Sequence, residues 1–310
     1  MQTILGASGI IGKETAKNLA QYTDKIRLVS RNPQKVNEHD ELIAADLTLK
    51  DQVFKAVKGS EVVYLTVGLP YSLEVWQSTW PVIMRNVIDA CKENQARLVF
   101  FDNVYLYGKV DGWMTEETPV NPSSKKGEVR AKIAEMLMEE VASKNLEAQI
   151  ARSADFYGPD TPLSVVSVTV FERLANGKSA QWLVNDKVKH SFTYTPDAGR
   201  ATALLGNTGK AYNQVWHLPT DRNVLTGVEF IQQTAAAFQT KPRYMVAKKW
   251  LIRLMGLVNQ PLKENIEMLY QNDSDYLFDS SKFDQAFSFE KVSYGKGIRE
   301  TAGWYESRKG

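Results

Sequence analysis

Short apolar runs alternate with amphipathic stretches along the first half of the chain. The apolar runs predict strands at Gln2–Leu5, Ile26–Ser30, Leu42–Ala45, Glu61–Val67, Arg97–Phe101 and Glu147–Arg152. The helical spacing of apolar residues predicts helices at Ile10–Tyr22, Leu49–Lys58, Trp76–Asn94 and Ala131–Ala142. Apolar strands separated by amphipathic helices are typical of a parallel sheet that helices cover on both faces. The pattern therefore predicts an α/β fold with a doubly wound parallel sheet.

The second half of the chain follows a different pattern. Beyond Tyr157 the alternation weakens, and glycine and proline residues become denser, as in Asn176-Gly177. We expect residues 1–157 to form the sheet domain and residues 158–310 to form a smaller C-terminal lobe. The basic, amphipathic stretch Lys241–Met255 predicts a helix of this lobe with a solvated basic face, and a helix on a membrane surface is the alternative.

A glycine-rich loop joins the first predicted strand to the first predicted helix. It reads Gly6-Ala7-Ser8-Gly9-Ile10-Ile11-Gly12. Gly6 permits a tight turn, Gly9 lets the backbone approach a pyrophosphate, and Gly12 lets the helix pack against the strand. Phosphates bind at such a helix N-terminus because its free N–H groups and its dipole favour negative charge. Because the loop lies inside a βαβ unit, it favours a dinucleotide-binding Rossmann domain over a merely structural turn. The expected cofactor contacts in the loop are Gly6, Ser8, Gly9, Ile10, Ile11 and Gly12.

The end of the second strand indicates which dinucleotide binds. NAD-selective Rossmann domains carry an acidic residue there, which holds the ribose hydroxyls. This chain has Val29-Ser30-Arg31-Asn32 instead. Arg31 could pair with a 2′-phosphate, since a guanidinium matches phosphate geometry. The sequence therefore favours NADP, with NAD possible and with a solvated surface arginine as the alternative role for Arg31.

Three further segments complete the expected cofactor site. Asp46 and Leu47 follow the third strand and are expected to touch the adenine, although Asp46 could equally cap the helix that follows. Thr66 and Val67 end the fourth predicted strand, and Gly68 follows it. We assign all five residues to the cofactor site because they end strands of the same predicted sheet.

Composition narrows the range of partners. The 310 residues carry a formal net charge of only +2, which gives no reason to expect nucleic acid or an anionic membrane as partner. No apolar run is long enough to span a bilayer, and the single cysteine, Cys91, fits a reducing compartment. The three histidines show no metal-ligand spacing. We expect a cytoplasmic monomer or homodimer that binds a small-molecule substrate and no metal.

Further motifs resemble the NAD-dependent epimerase/dehydratase family, the extended short-chain dehydrogenases/reductases. The glycine loop resembles the GxxGxxG loop of that family, and Phe101–Gly108 resembles its SSxxVYG strand end. Arg152–Pro159 resembles its RxxxxYGP segment, and His190–Asp197 resembles its DFxYVDD segment. These matches occur in the family's order and cover nearly the whole chain. The resemblance also implies that residues from about 188 to 218 return to the Rossmann domain.

The family's catalytic residues are a serine or threonine and a Tyr-x-x-x-Lys pair. The tyrosine exchanges a proton with the substrate oxygen, and the lysine holds the nicotinamide ribose. In this chain Asn103 stands at the serine position, and the tyrosine is missing from the helix. One register places Lys132 at the lysine position and Glu128 at the tyrosine position. A second register, fixed by Glu135, also lacks the tyrosine.

Three residues are the candidates for the missing chemistry. Asn103 could orient a substrate carbonyl, Tyr105 could supply the missing phenol, and Lys132 could hold the ribose. A packing aromatic is the alternative for Tyr105, and a surface ion pair with Glu128 is the alternative for Lys132. The resemblance implies an NAD(P)-dependent oxidoreductase or epimerase-like enzyme that acts on a small carbonyl or hydroxyl compound. A non-catalytic, NADP-binding redox sensor of the NmrA type is the alternative.

Overall fold

The computed structural model describes residues 1–308, which divide into two compact units. Unit 1 comprises Met1–Leu106, Lys125–Ser153 and Ala198–Leu218, and unit 2 comprises the rest of the described chain. The segment that returns to unit 1 thus begins at Ala198, later than the sequence suggested, and residues 107–124 belong to unit 2.

The elements up to residue 142 are β1 (Gln2–Leu5), α1 (Ile10–Leu19), β2 (Ile26–Ser30), β3 (Glu41–Ala44), α2 (Lys50–Val57), β4 (Val62–Leu65), α3 (Leu73–Asn94), β5 (Arg97–Asn103), β6 (Trp113–Met114) and α4 (Lys125–Ala142). Those that follow are β7 (Ala148–Ser153), β8 (Asp155–Tyr157), α5 (Glu172–Ala175), β9 (Ala180–Leu183), β10 (Phe192–Tyr194), α6 (Thr195–Gly206), β11 (Val215–His217), α7 (Gly227–Ala237), β12 (Tyr244–Ala247), α8 (Lys249–Gly256), α9 (Gln260–Asn265), β13 (Leu277–Phe278), α10 (Ser281–Ala286) and α11 (Tyr294–Glu306).

A seven-stranded sheet in the order β11-β7-β5-β4-β1-β2-β3 forms the centre of unit 1. Every neighbouring pair in it is parallel. β1 and β4 are fully buried along their lengths, as is typical of central strands in a parallel sheet that helices cover on both faces. The strand order reverses between β1 and β4, and ligands bind at such a switch point outside the carboxyl ends of the strands. The predicted doubly wound α/β fold is confirmed.

The helices of unit 1 pack through small residues and apolar faces. α3 packs against both α2 and α4. On α6, a Cβ at Gly199 would meet the backbone and Cβ of Glu14 on α1 at 2.9 Å or less, so only glycine permits this close approach. α4 begins at Lys125, where apolar spacing predicted a start at Ala131. Gly127 in its first turns lowers helix propensity and explains the late prediction.

Unit 2 has an aromatic core and three two-stranded parallel pairs, β8 with β10, β9 with β12, and β6 with β13. Phe230 of α7 lies at the middle of this core, 5.1 Å from Phe192 and 6.0 Å from Tyr157 between ring centroids. On α8, Ile252 is buried while Trp250 and Leu254 are exposed. Within residues 1–308, no helix is long and apolar enough to cross a bilayer.

Candidate functional site

The glycine loop holds two glycines that packing requires. Gly6 has φ +97°, and a Cβ there would lie 2.6 Å from the backbone nitrogen of Val67. A Cβ on Gly12 would lie 2.6 Å from the Gly6 carbonyl oxygen and 2.8 Å from Ala7 Cα. Both approaches are shorter than a real Cβ tolerates. The loop after β1 is therefore packed tightly against itself and against the segment that follows β4.

Gly9 differs from these two glycines. It is the N-cap of α1, with the ordinary extended values φ −75° and ψ 160°, and a Cβ there would make only van der Waals contacts of 3.4 Å or more. Packing therefore does not require a glycine at this position. The exposed Gly9 provides no side-chain cap, and the first turn of α1 carries no acidic residue. An open helix N-terminus with a bare N-cap fits a phosphate group.

The end of β2 lies beside the glycine loop. The Ser8 hydroxyl is 2.7 Å from the Ser30 hydroxyl and donates to the backbone oxygen of Asn32 at 3.1 Å. Ser30, the last residue of β2, thus stands where NAD-selective domains place an acid. Arg31 follows it with an exposed side chain. The structure brings Ser8 and the β2 end together and leaves the Arg31 guanidinium accessible to an anion.

The loop after β3 is fixed by hydrogen bonds. Asp46 Oδ1 accepts from the backbone N–H of Thr48 at 2.9 Å and from its hydroxyl at 2.7 Å. These bonds hold the pKa of Asp46 below its usual range, and the Arg31 guanidinium adds to the effect. Asn86 of α3 donates to the carbonyl oxygen of Leu47 at 3.0 Å. Asp46 therefore orders this loop beside Arg31, with Leu47 buried beneath it.

The segment after β4 supplies a small-residue edge. Thr66 is buried and donates from its hydroxyl to the Leu5 carbonyl oxygen at 3.2 Å. Val67 is half-buried, and Gly68 is exposed with nothing within 4 Å of an added Cβ. Ile10 is half-buried and Ile11 is buried at the start of α1. Because β1 and β4 are neighbouring parallel strands, all of these residues share one sheet edge.

The end of β5 presents Asn103 and Tyr105. Asn103 Oδ1 accepts from the Tyr105 backbone N–H at 3.1 Å, which orders a short 3₁₀ turn at Tyr105–Tyr107. The Tyr105 ring is half-buried and stacks on Trp76 of α3, with centroids 6.2 Å apart and planes 14° apart. Since β5 neighbours β4, the structure places both residues on the same sheet edge as the glycine loop.

The structure does not place Lys132 at this edge. Its side chain is exposed on α4, and so is that of Glu128. Glu128 pairs with Lys125 at 2.8 Å, three residues earlier on the exposed face. The register that places Lys132 at the lysine position therefore assigns it to the solvent side of the helix, and we do not retain Lys132 as a site residue. The register fixed by Glu135 places the buried Gly127 and the half-buried Ala131 at the two positions, and neither has a side chain that can hold a cofactor.

The buried face of α4 instead carries two other cations that sequence reasoning missed. Lys126 is 1% exposed and Arg130 is 4% exposed. Their spacing of four residues places both on one face of the helix, and it is also the spacing of the family's Tyr-x-x-x-Lys pair. The sequence does contain a signal for this face, because the apolar residues Val129, Ile133 and Leu137 recur every four positions and lie on the same buried side. A helix predicted to start at Ala131 excludes Val129, Lys126 and Arg130, so this periodicity was not extended to them.

Arg130 belongs to a buried ion cluster at the end of β5. Its Nε donates to Asp102 Oδ1 at 2.7 Å, and Arg152 Nη2 of β7 contacts Asp102 Oδ2 at 3.1 Å. The Asp102 side chain is fully buried, and both arginine side chains are 4% exposed. The Arg130 guanidinium also lies 4.5 Å from the Trp80 ring centroid. Asp102 directly precedes Asn103, so this cluster fixes α4 against the end of β5.

In unit 2, the buried His190 pairs with the carboxylate of Asp155. His190 Nε2 is 2.9 Å from Asp155 Oδ2, and the ring stacks against Phe192 and Tyr276. This environment matches a packed polar group better than a base. Among residues 1–308, no group of three histidine, cysteine, aspartate or glutamate side chains could hold a metal ion.

Comparison with known proteins identifies the family and the fold. The model of the NAD dependent epimerase/dehydratase family matches residues 3–215. A 3β-hydroxysteroid dehydrogenase/decarboxylase isoform of Arabidopsis thaliana is 28% identical in an alignment of 248 residues that covers 74% of this chain and 42% of that protein. The chain thus spans less than half the length of this curated relative.

Solved structures resemble the chain over its whole length. A UDP-glucose 4-epimerase from Thermus thermophilus, in complex with NAD, superposes with a TM-score of 0.81 at 17% identity and covers 99% of this chain and 100% of its own. A dTDP-glucose 4,6-dehydratase from Streptomyces venezuelae with NAD bound gives 0.80 at 15% identity, covering 100% and 98%. At these identities the likeness shows the fold alone.

Proposed function

Because the chain belongs to the NAD-dependent epimerase/dehydratase family, we propose that it is an NADP-dependent enzyme that transfers hydride to or from a small carbonyl or hydroxyl compound. The observation that carries the proposal is the open N-terminus of α1 at the switch point of the sheet. Packing requires glycine at positions 6 and 12, because a Cβ there would clash with neighbouring backbone atoms, whereas a Cβ at position 9 would make only van der Waals contacts. A phosphate that approaches the helix explains why position 9 is also glycine.

The cofactor is proposed to lie along the carboxyl edge of β1, β2, β3 and β4. The α1 N-terminus would hold its pyrophosphate, and Asp46 and Leu47 would border its adenine. The reduced or oxidised nicotinamide supplies or accepts the hydride when it is bound. Arg31 would bind a 2′-phosphate, since its guanidinium is exposed beside Ser30, which carries no charge to repel that phosphate. This is the argument for NADP over NAD.

The end of β5 is proposed to meet the substrate. The side-chain oxygen of Asn103, Oδ1, accepts the hydrogen bond that orders the turn, so the side-chain NH₂ group is the part suited to orient a substrate oxygen. Tyr105 and Trp76 offer a half-buried aromatic surface beside it. A planar or apolar part of the substrate could pack on this surface.

The substrate class is proposed from the relatives. The named relatives act on sugar nucleotides or hydroxysteroids by their descriptions, so these two classes head the panel to be tested. All of these relatives are enzymes, and a non-catalytic redox sensor is not favoured. We also propose a cytoplasmic location, which agrees with the single, buried cysteine, Cys91, because one cysteine forms no disulfide within the chain. A monomer or a homodimer is proposed as the oligomeric state.

Calorimetric titration with NADPH and NADH tests the cofactor, and Arg31→Ala tests its selectivity. We expect tighter binding of NADPH, and we expect the substitution to reduce that preference while NADH affinity stays unchanged. Arg85→Ala, which removes an exposed arginine on α3, is the matched control. Turnover is then screened with sugar nucleotides, 3-ketosteroids, aldehydes and ketones. Failure to bind either dinucleotide would overturn the proposed function, and an unchanged NADPH-to-NADH ratio in Arg31→Ala would overturn the selectivity argument.

A further inference from the structure

A buried lysine lies at the start of α4. Lys126 is 1% exposed, and lysine is among the residues least often buried this deeply. Lys125, which precedes it, and Glu128, which follows two residues later, are exposed and form an ion pair with each other. The first turn of α4 therefore carries two exposed charged side chains and one buried ammonium group, that of Lys126.

The topology brings this ammonium to the sheet edge that carries the proposed site. α4 lies between β5 and β7, two parallel strands, so its first turn starts at their carboxyl edge. Arg130, one turn later on the same face, is bound to Asp102 at the end of β5. Lys126 therefore begins the buried face of α4 on the same edge as Asn103.

An aromatic wall connects Lys126 to the β4 and β5 ends. Lys126 Nζ lies 4.7 Å from the centroid of the Tyr71 ring, which belongs to the loop after β4. Tyr71 meets Trp76 edge to face at 5.5 Å, and Trp76 stacks on Tyr105. The ammonium, the two tyrosine rings and Asn103 thus belong to one cluster at the carboxyl ends of β4 and β5.

We propose that Lys126 exchanges the proton with the substrate oxygen and that Arg130 is a positioning residue that holds it there; this inference rests on the proposed function. Lysine, like tyrosine, is among the side chains that act as general acids and bases in enzymes. Guanidinium differs, because it keeps its proton at all working pH values. The pair Lys126-x-x-x-Arg130 has the same four-residue spacing as the family's Tyr-x-x-x-Lys pair.

The step balances without any further reactant. In reduction, the carbonyl carbon accepts the hydride that NADPH supplies, the C=O π bond becomes the new O–H bond, and Lys126 Nζ gives the proton. The products are an alcohol, NADP⁺ and a neutral amine, which regains a proton from water. In the oxidative direction the neutral amine accepts the hydroxyl proton. Arg130 stays charged throughout and keeps α4 fixed to Asp102.

Variants at position 126 separate proton transfer from packing. Lys126→Met keeps the length of the side chain and removes the proton. Lys126→Arg keeps the charge and the contact with Tyr71 but cannot release a proton. We expect both to lower kcat by about 10²–10⁴-fold, the usual contribution of general acid–base catalysis, and Lys126→Tyr to recover part of the loss. Lys125→Met, on the exposed face, is the matched control and should keep full activity.

The pH profile and cofactor binding add readouts that a structural lysine would not move. The limb of the wild-type kcat profile that reports loss of the donor proton should disappear in Lys126→Arg, while the NADPH dissociation constant stays within about twofold, since the donor acts on substrate and not on cofactor. If Lys126→Arg retains wild-type turnover, Lys126 acts through charge and packing alone, and the proposal is overturned.

A spectroscopic test needs no substrate. Lysine labelled with ¹³C at Cε gives one resonance per residue, and Lys126→Met identifies the resonance of Lys126. We expect saturating NADPH to shift this resonance and to leave that of Lys125 in place. An unchanged Lys126 resonance with NADPH bound would refute the inference while the proposed function stands. Absence of NADPH binding in calorimetry would instead refute the proposed function.

Discussion

Replacing Gly9 by alanine should separate cofactor binding from folding. An added Cβ would lie 3.4 Å from the Gly6 carbonyl oxygen and 3.8 Å from the Thr66 carbonyl oxygen, so the folded chain accepts it. The backbone at Gly9 is extended, which alanine adopts without strain. Restricting the unfolded chain stabilises by about 0.4–1 kcal/mol, and alanine is a poorer N-cap than glycine by a similar amount. We expect the free energy of unfolding to change by less than about 1 kcal/mol without cofactor.

The same methyl group should weaken NADPH binding. It projects beside the open α1 N-terminus, where a phosphate would accept charge-assisted hydrogen bonds worth about 1.5–3 kcal/mol each. Loss of one such bond corresponds to about 10–100-fold in affinity. Wild-type protein at an NADPH concentration of 100 Kd gains about 2.7 kcal/mol of stability from binding, and at that concentration the variant should gain only about 0.4–1.4 kcal/mol. The larger Gly9→Val should bind no cofactor at all.

Thermal unfolding with and without NADPH measures both quantities in one experiment. Gly12→Ala is the contrasting variant, because its Cβ would lie 2.6 Å from backbone oxygen and 2.8 Å from backbone carbon. It should destabilise the protein without cofactor by about 1–3 kcal/mol. If Gly9→Ala binds NADPH as tightly as the wild type, phosphate does not approach this loop, and the assignment of the glycine site is refuted.

Three further predictions concern the ion cluster, the β5 end and pH. Asp102→Asn leaves two buried guanidinium groups without their carboxylate and should lower the free energy of unfolding in urea by about 3–5 kcal/mol. Arg85→Ala, which breaks an exposed ion pair, should lower it by less than about 1 kcal/mol. Equal losses in the two variants would contradict the claim that Asp102 holds a buried ion cluster. Tyr105→Phe keeps the ring that stacks on Trp76 and should lower kcat/KM by much less than the about 10²–10⁴-fold that loss of an acid–base group costs, since Lys126 is the proposed proton donor; a loss as large as that in Lys126→Met would make Tyr105 the donor. The pKa of Asp46 is lowered in the folded state by its bonds from Thr48, so the stability that it contributes is present at neutral pH and is lost as the pH falls below about 3.9; a melting-temperature difference between wild type and Asp46→Asn that persists unchanged at pH 3 would contradict this sign.

The strands and the packing of the glycine loop could be predicted from sequence because their signals are local. β4 and the Leu98–Phe101 part of β5 are apolar on both faces, and that pattern is typical of strands in a covered parallel sheet. The roles of Gly6 and Gly12 followed from one loop between a strand and a helix, and the observed packing agrees with the geometry expected for them.

The buried face of α4 could not be predicted in the same way. Lysine and arginine are normally solvated, so a pattern of apolar residues assigns them to the outer face. What buries Arg130 is Asp102, 28 positions earlier in the chain, and what borders Lys126 is Tyr71 in another loop. Such pairings depend on strand order and are not encoded by spacing within the helix. A start of the helix at Ala131 left Lys126 outside it altogether.

The division into units was hard to predict for a related reason. A boundary at Tyr157 followed from the change in pattern, whereas residues 107–124 belong to unit 2 although they lie between two elements of the sheet domain. That stretch contains few apolar residues, and its strand, β6, pairs with β13, which lies more than 150 residues later in the chain. Contacts between segments so distant in sequence leave no periodic signal.

A structure of the protein with NADP⁺ bound tests the central claim most directly. We expect the pyrophosphate to accept hydrogen bonds from the first turn of α1, the 2′-phosphate to contact Arg31, and Lys126 to be the proton donor nearest nicotinamide C4. A cofactor bound away from the glycine loop would contradict the proposed function. A cofactor on that loop with Tyr105 in the place of Lys126 would contradict the inference about the proton donor.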